Sequence, residues 1–262
     1  MGVPAGRRRS TLLAAARMCL GRAVTLGRHV GIMGAGFVGR VHLDAMLAHA
    51  DVARISVAES DAHQRDLVAR DYPAQRAVAD HRALLDDRSV DVIDVCLPHD
   101  LHHPVVLEAL AAGKHVIADK PIANTLAEAD EMLAAAGSSG RRFYVALNQR
   151  FLPCHQRTRA LLEDGFIGPP SLAMLTIVGD ERARMSIPGH WKGSWKRAGG
   201  GALADSGTHI IDLAHLWFGL PTAVQAHVAR HVIEAPDKAD DTAAVILQYL
   251  SLIHISEPTR RH

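Results

Sequence analysis

Two acidic residues and a histidine recur at helical spacing in one short segment of this chain. Gly199 to His215 reads GGGALADSGTHIIDLAH, in which Asp205, His209 and Asp212 follow one another at intervals of four and three residues. In an α-helix of about 3.6 residues per turn, these intervals place the three side chains on one face. Such a stripe is usually a solvated helix face. Carboxylates beside an imidazole also suit acid–base chemistry, so the rest of the sequence must decide between the two interpretations.

Composition narrows the classes of protein to consider. The 262 residues are 48% hydrophobic and 22% charged, which is typical of a globular protein with one large domain or two smaller ones. The net charge of +1 gives no reason to expect nucleic acid or a membrane surface as partner, so a small molecule is predicted. No stretch approaches the ~18 apolar residues of a membrane span. Three cysteines without ligand spacing, and histidines without an HExxH pattern, predict a reducing cytoplasmic location and no metal site.

The first 28 residues differ from the rest and are predicted to lie outside any domain. No Asp or Glu occurs before Asp44, while arginines crowd the start. RRRSTLLAAA resembles a twin-arginine export signal, but Arg17 and Arg22 interrupt the apolar stretch that such a signal needs. A start codon assigned too far upstream is the preferred explanation.

A glycine-rich motif follows a short apolar strand. His29–Met33 (HVGIM) leads directly into GAGFVG and then into an amphipathic helix. Gly34 permits the tight turn, Gly36 lets the backbone approach a pyrophosphate, and Gly39 lets helix and strand pack closely. The predicted dinucleotide contacts in this motif are Gly34, Gly36, Phe37, Val38 and Gly39.

The next strand ends at an acidic residue that bears on the choice of cofactor. Arg54–Ala58 (RISVA) is followed by Glu59, about 20 residues after the glycine motif, where a carboxylate binds the ribose 2′-hydroxyl. The same carboxylate repels a 2′-phosphate, so NAD is predicted rather than NADP. Ser60 and Arg65 keep NADP open as the alternative.

Strands and helices continue to alternate up to residue 148. The further predicted strands are Asp91–Pro98, His115–Ala118 and Arg142–Asn148, with helical patterns in PVVLEALAAG and TLAEADEMLAAA between them. This alternation predicts a parallel sheet flanked by helices, and residues 29–148 are assigned to a Rossmann domain. Asp119 and Lys120 follow one of these strands, at the sheet edge where ligands of such domains bind.

Five motifs together resemble one family. GAGFVG, PHDLHH, AGKHVIADKP, NQRF and GGGALADSGTHIID occur in the order typical of the glucose-fructose oxidoreductase, inositol dehydrogenase and rhizopine catabolism (Gfo/Idh/MocA) family. The resemblance runs from about His29 to Tyr249. Asp119 stands where the family usually has Glu, His99 where it often has Asn, and Leu97 where it often has Thr. The last two departures bear on local nicotinamide contacts rather than on the fold.

The resemblance implies a fold and a partner surface. It implies an α/β protein whose Rossmann domain is joined to an α+β domain with an open, mostly antiparallel sheet over residues 149–249. Predicted strands of that sheet are Pro170–Gly179, Ala223–Ile233 and Asp241–Leu250. Homo-oligomers through this sheet are also implied.

The resemblance implies that Lys120, Asp205 and His209 meet at a sugar or polyol substrate whose secondary alcohol exchanges a hydride with nicotinamide. His209 suits the role of base, and Lys120 suits stabilisation of the alkoxide. Asp205 either orients His209 or binds a neighbouring hydroxyl, and Gly199–Gly201 lets the backbone approach nicotinamide and substrate. The further cofactor candidates are Pro98, His102, Asp119 and Lys120. The further substrate candidates are Arg150, His102, Trp191 and Lys192, and for Trp191 and Lys192 a structural role is slightly preferred.

Two alternatives use the same fold. A regulatory protein would sense a dinucleotide or sugar without turnover, but such a protein could lose the Lys, Asp and His set, which is complete here. A hydrolase acting through transient oxidation by bound NAD would be expected to carry a different glycine–histidine motif. Catalysis by a dehydrogenase is therefore predicted.

The end of the chain, LSLIHISEPTRRH, abandons the alternation of the preceding strand. Leu250 to Arg260 can be encoded by DNA resembling a transposase adapter used to prepare sequencing libraries. We therefore expect residues 250–262 to be non-native and the second domain to be truncated near Tyr249. A divergent but genuine tail is the alternative.

Overall fold

The computed structural model describes residues 27–72, 75–233 and 239–249. The strands are β1 Arg28–Met33, β2 Val52–Ala58, β3 Arg76–Val78, β4 Val92–Val95, β5 His115–Ala118, β6 Phe143–Val145, β7 Ala223–Ala229 and β8 Thr242–Gln248. The helices are α1 Phe37–Ala48, α2 Ala62–Asp71, α3 Arg82–Leu85, α4 His102–Ala111, α5 Leu126–Ser139, α6 Pro153–Glu163, α7 Arg182–Met185, α8 Trp195–Ala198 and α9 Thr208–Phe218. The predictions for the N-terminal extension and for the tail after Tyr249 lie almost wholly outside the described residues.

The first domain is a doubly wound parallel sheet. Its six strands run in the order β3-β2-β1-β4-β5-β6, and every pair is parallel. Helices cover both faces, so β1 and β4 are buried along most of their length. The strand order reverses between β1 and β4, which opens a crevice at their carboxyl ends. The predicted fold class is confirmed, although the short edge strand β3 was not predicted.

The second domain contains a two-stranded antiparallel sheet within the described residues. β7 pairs with β8 from Ala223 opposite Gln248 to Ala229 opposite Thr242. The strand predicted for Pro170–Gly179 is wrong, because the structure assigns no strand there. A strand needs a ladder partner, and residues 170–179 pair with neither β7 nor β8 in the structure. Apolar residues of that segment, such as Met174 and Val178, are exposed.

Residues 199–215 do not form one regular helix. Leu203–Gly207 forms a π-helical turn, and α9 begins at Thr208. Asp205 therefore lies on the wider turn and His209 at the start of α9. A π turn inside helical sequence often occurs at a functional site.

Polar contacts made by α8 hold it against the first domain. His99 Nδ1 hydrogen-bonds the carbonyl oxygen of Ala198 at 2.8 Å, and Asn124 donates to the carbonyl oxygen of Arg197 at 3.2 Å. The Arg197 guanidinium also pairs with Asp100 at 3.2 Å. Because α8 carries Arg197 and Ala198, it fixes the glycine segment that follows it against the sheet edge. Among the described helices, none is long and apolar enough to cross a membrane.

Candidate active site

The glycine turn between β1 and α1 has the geometry expected for a dinucleotide. Gly34 has φ +93°, and a Cβ there would lie 2.3 Å from the carbonyl oxygen of Cys96. A Cβ on Gly39 would lie 2.0 Å from the carbonyl oxygen of Gly34. A Cβ on Gly36 would meet nothing within 4 Å. Gly34 and Gly39 are thus needed for packing, whereas Gly36 faces the open space that a pyrophosphate requires.

Glu59 lies at the end of β2, beside the glycine turn. Its carboxylate accepts hydrogen bonds from the backbone N–H of Ala35 at 2.7 Å and of Asp61 at 2.9 Å. Arg65 Nη1 donates to the carbonyl oxygens of Glu59 and Ser60 at 2.8 and 3.2 Å. The Glu59 carboxylate, which favours NAD, and the Arg65 guanidinium, which would favour NADP, therefore both lie at the end of β2.

A lysine from the sheet edge meets an acid from the second domain. Lys120, which follows β5, is 9% exposed, and its Nζ donates to the carbonyl oxygen of Asp205 at 2.9 Å and to the Asp205 carboxylate. Lys192 Nζ contacts the other carboxylate oxygen at 2.7 Å. Burial raises the pKa of the Asp205 carboxyl, but the charges of Lys120 and Lys192 outweigh it and hold that pKa well below its usual range.

His209 lies beside this ion-pair cluster with one ring nitrogen unsatisfied. Its Nδ1 is buried and has no hydrogen-bond partner among the described residues. Burial lowers the pKa of His209, and the nearby charge of Lys120 lowers it further. Both carboxylate oxygens of Asp205 bind lysines, so Asp205 organises Lys120 and Lys192 rather than orienting His209. The imidazole is neutral at neutral pH and retains a nitrogen for a ligand.

The third acidic residue of the opening motif belongs to a different contact. Asp212 is 7% exposed and accepts two hydrogen bonds from the Arg150 guanidinium, one of them from Nε at 2.6 Å. The expected substrate contact of Arg150 stays a prediction, and its observed partner is α9. This bidentate pair fixes α9 against the turn at Asn148–Phe151.

His102 is enclosed between two backbone carbonyl groups. Its side chain is fully buried, and its two ring nitrogens lie 2.9 Å from the carbonyl oxygen of Pro121 and 3.0 Å from that of Leu97. His102 therefore supports the segments that carry Leu97 and Pro121. Its predicted contacts with cofactor and substrate stay predictions. Asp119 accepts from the backbone N–H of Lys120 at 2.8 Å.

Trp191 packs against the residue that follows Pro98. The ring centroids of Trp191 and His99 are 4.6 Å apart in an edge-on arrangement. Burial lowers the pKa of His99 to about 4, so this imidazole is neutral at physiological pH. Trp191 and Lys192 share one turn, Trp191–Gly193, which brings the tryptophan close to the Asp205 cluster. The contact of Trp191 with substrate stays a prediction.

Asp240 is a site residue that the sequence analysis missed. Its buried carboxylate accepts from the backbone N–H of Gly201 at 2.8 Å and of Leu203 at 2.9 Å. A Cβ on Gly201 would lie 1.9 Å from the carbonyl oxygen of Asp240. The glycine is therefore needed for close approach to Asp240. The predicted approach of Gly199–Gly201 to nicotinamide and substrate stays a prediction. No spacing or motif links residues 201 and 240 in the sequence.

The structure also brings three potential metal ligands together beneath the glycine turn. His42 Nδ1 lies 2.9 Å from Asp94 and 3.4 Å from Cys96 Sγ, and the three ligand atoms all lie within 4.8 Å of one another. Burial and the nearby carboxylates raise the pKa of the Cys96 thiol far above its usual range. These residues contact one another directly, and the absence of a metal site stays a prediction.

A large concavity opens beside the ion-pair cluster. Its volume is about 1480 Å³, and Trp191, Lys192 and Asp205 line one end. Most of its wall is apolar and comes from residues 171–179, α9 and β8. Lys120 and His209 do not line it, so this cavity extends away from the crevice of the parallel sheet.

The doubly wound sheet, the glycine turn at its crevice and the adjoining α+β domain define a two-domain dinucleotide-binding protein. Residues 28–147 match the family described as "Oxidoreductase family, NAD-binding Rossmann fold", and residues 155–256 match "GFO/IDH/MocA C-terminal domain". The chain belongs to the Gfo/Idh/MocA family. The resemblance and the NAD cofactor are thus confirmed, whereas the exact domain limits and the non-native tail stay predictions.

Similar proteins include named dehydrogenases. The chain is 32% identical over 216 residues to levoglucosan dehydrogenase of Pseudarthrobacter phenanthrenivorans, covering 79% of this chain and 55% of the relative. It is 31% identical over 202 residues to D-glucoside 3-dehydrogenase of Escherichia coli, covering 76% and 56%. The chain thus spans little more than half the length of these relatives.

Solved structures also resemble this chain. A levoglucosan dehydrogenase in complex with NADH and levoglucosan superposes with a TM-score of 0.76 at 29% identity, covering 86% of this chain and 64% of that one. GenD2 from gentamicin A biosynthesis, in complex with NAD, superposes with a TM-score of 0.74 at 26% identity, covering 88% and 65%. Both neighbours contain a nicotinamide dinucleotide, which agrees with the cofactor predicted from the glycine turn.

Proposed function

We propose that this chain forms the core of an NAD-dependent dehydrogenase that transfers a hydride between nicotinamide and a secondary alcohol of a sugar, inositol or related polyol. The observation that carries this proposal is the contact of Lys120 with Asp205 beside the unsatisfied imidazole of His209, at the carboxyl end of β5. The names of levoglucosan dehydrogenase and D-glucoside 3-dehydrogenase support a sugar as the substrate class.

The chemistry divides between two side chains. Oxidation of a secondary alcohol releases a hydride from carbon and a proton from the hydroxyl, and bound NAD supplies the hydride acceptor. Neutral His209 takes the hydroxyl proton, and its lowered pKa keeps it unprotonated for that step. Lys120 donates a hydrogen bond to the same oxygen as negative charge develops, while Asp205 fixes the position of the ammonium group. The reverse reaction uses the same groups in opposite protonation states.

Membership of the Gfo/Idh/MocA family supports further proposals about cofactor choice, substrate contacts, location and self-association. Glu59 favours NAD over NADP, Trp191 and Lys192 border the substrate, and the protein works in the cytoplasm without nucleic acid or membrane. The full-length protein associates with itself through its second domain. The complete set of Lys120, Asp205 and His209 favours catalysis over a purely regulatory role.

A substrate panel with matched variants tests the proposal. Inositols, aldoses, anhydrosugars, glucosides and sugar acids are incubated with NAD or NADP, and the absorbance of the reduced nicotinamide is followed. With the best substrate, His209→Asn and Lys120→Met each lower kcat about 10²- to 10⁴-fold. The Kd for NADH changes little in His209→Asn, whereas it rises in Lys120→Met because Lys120 is also a predicted cofactor contact. NADH binding without reduction of NAD by any compound of the panel would instead support the regulatory alternative.

A further inference from the structure

A basic side chain of the second domain reaches the start of the helix that follows the glycine turn. The guanidinium carbon of Arg184, on α7, lies 5.7 Å from the ring centroid of Phe37. Phe37 is the first residue of α1 and is 71% exposed, so this contact links the second domain to the first. The second domain thereby places a positive charge beside the glycine turn.

The start of α1 is free to receive an anion. Gly36 caps the helix without a side-chain hydrogen bond, and the first turn contains no acidic residue. A Cβ on Gly36 would find open space, so a ligand can approach the backbone closely. The unpaired N–H groups and the helix dipole at such a terminus attract phosphate, and in a Rossmann domain this is where the pyrophosphate lies.

Arg184 is only weakly engaged within the described part of the chain. Its single ion pair is with Glu181 on the preceding turn at 3.5 Å, and Glu181 lies equally far from Lys192. The neighbouring Arg182 is held more firmly, by two contacts with Asp180 at 2.8 and 2.7 Å. Arg184 therefore keeps donors available, and a guanidinium can bind phosphate oxygens in a bidentate manner.

The backbone beneath Arg184 is anchored beside the substrate end of the site. Met185 is 5% exposed, and a Cβ on Gly193 would lie 2.3 Å from its carbonyl oxygen. Gly193 ends the turn that carries Trp191 and Lys192. A ligand held by Arg184 would therefore be coupled through α7 to the turn that contacts Asp205.

We propose that Arg184 binds the pyrophosphate of the dinucleotide from the second-domain side, opposite the backbone N–H groups of Gly36 and Phe37. Bound cofactor then bridges α1 and α7 and holds the two domains together around the site. The proposal rests on dinucleotide binding and is independent of which alcohol is oxidised.

Binding measurements on the 262-residue protein test this role without requiring turnover. Arg184→Met keeps an unbranched apolar stem over Phe37 but removes the charge, and Arg182→Met is the matched control on the same helix. Calorimetry gives the Kd for NADH and for ADP-ribose, which contains the pyrophosphate but lacks nicotinamide. We expect Arg184→Met to weaken both ligands by the same factor, about tenfold or more, and Arg182→Met to leave both within about twofold of the wild type.

Three results would overturn the proposal. Unchanged affinities in Arg184→Met would mean that Arg184 only packs on Phe37. Equal losses in both variants would indicate general attraction by the basic helix, and a loss confined to NADH would place Arg184 near nicotinamide. Arg184→Lys provides a further check, because a retained charge without the planar fork should restore only part of the lost affinity. Failure of the sugar panel would leave these measurements unaffected.

Discussion

The imidazole of His209 is influenced by burial and by a neighbouring cation, and both lower its pKa. We expect His209 to titrate below the ordinary value of 6.5 in the wild type. In Lys120→Met the pKa should rise, because one of the two effects that lower it is removed. NMR of the ring protons measures this pKa directly, without turnover.

Lys192→Met is the matched control for the His209 titration. It removes the same charge from Asp205, but Lys192 is not among the largest influences on the pKa of His209. Its His209 pKa should therefore stay close to that of the wild type. A His209 that titrates at or above 6.5 in the wild type would contradict its assignment as a base tuned by burial and Lys120.

Glu59 is expected to set the choice of dinucleotide. Its carboxylate already accepts a backbone hydrogen bond at the glycine turn, which orients it at the end of β2. Glu59→Ala should reduce the preference for NAD over NADP by about tenfold or more, because it removes a hydrogen bond to the 2′-hydroxyl and a repulsion of the 2′-phosphate. The Kd values for NADH and NADPH give the ratio.

Asp61→Ala serves as the comparison for Glu59. Asp61 caps α2 through the N–H of Gln64 and lies two residues from Glu59. It should alter stability without altering the NAD to NADP ratio. If the ratio of the Kd values for NADH and NADPH is unchanged in Glu59→Ala, another residue must contact the ribose.

Among the elements, the segment that carries Asp205 depends on Asp240. We expect Asp240→Ala to lower kcat more strongly than it weakens NADH binding, because the loss of two buried hydrogen bonds at Gly201 and Leu203 displaces the π turn that bears Asp205. The free energy of unfolding should fall by about 2–4 kcal/mol. Steady-state kinetics, calorimetry and denaturant unfolding provide the three measurements.

A variant at the adjacent Asp241 distinguishes this positioning effect from a general loss of stability. Its carboxylate accepts from the backbone N–H groups of His231, Val232 and Ile233 and not from the glycine segment. Asp241→Ala should lower stability while largely preserving kcat. If Asp240→Ala and Asp241→Ala lowered kcat and stability to the same extent, Asp240 would have no specific positioning role.

Packing of α1 on the sheet includes a contact that depends on pH. The hydrogen bond that His42 donates to Asp94 raises the pKa of His42, and this effect outweighs that of burial. Because the folded-state pKa is raised, the stabilisation is complete below the unfolded value of about 6.5 and is lost as pH rises through the folded value. The free energy of unfolding of His42→Gln should therefore fall furthest below that of the wild type near pH 6. The two values should converge above the pKa of His42 in the folded protein.

Denaturant unfolding at a series of pH values measures the difference between wild type and His42→Gln. His49→Gln, at the exposed end of the same helix, is the control and should parallel the wild type. A stability difference that does not vary with pH would show that the hydrogen bond from His42 to Asp94 does not depend on protonation.

On the scale of the whole molecule, the second domain exposes apolar residues. Val224 and Val228, which share one face of β7, are 63% and 44% exposed. We expect the chain to self-associate through this sheet, since contiguous exposed apolar surface promotes association. Val224→Lys should shift light-scattering masses toward the monomer, whereas Leu126→Lys, at an 85% exposed position of the Rossmann domain, should not. Equal effects of the two variants would argue against a specific role for the sheet.

Local patterns in the sequence were sufficient for the Rossmann domain. The apolar strands, the turn at Gly34–Gly39 and the lysine after β5 each depend on residues close together in the chain, and all lie where they were predicted. The edge strand β3 was missed because it is short and only half-buried. The strand predicted at Pro170–Gly179 is absent because strand formation requires a partner that local alternation cannot specify.

By itself, the sequence determined the fold class, the family and the residue types available for chemistry. Only the tertiary structure decided their partners: Asp205 binds Lys120 rather than His209, Asp212 binds Arg150, and Asp240 holds the glycine segment. Each of these contacts joins residues at least 37 positions apart. Helical or strand periodicity has a reach of a few residues, so it cannot specify which distant side chains pair when the domains pack.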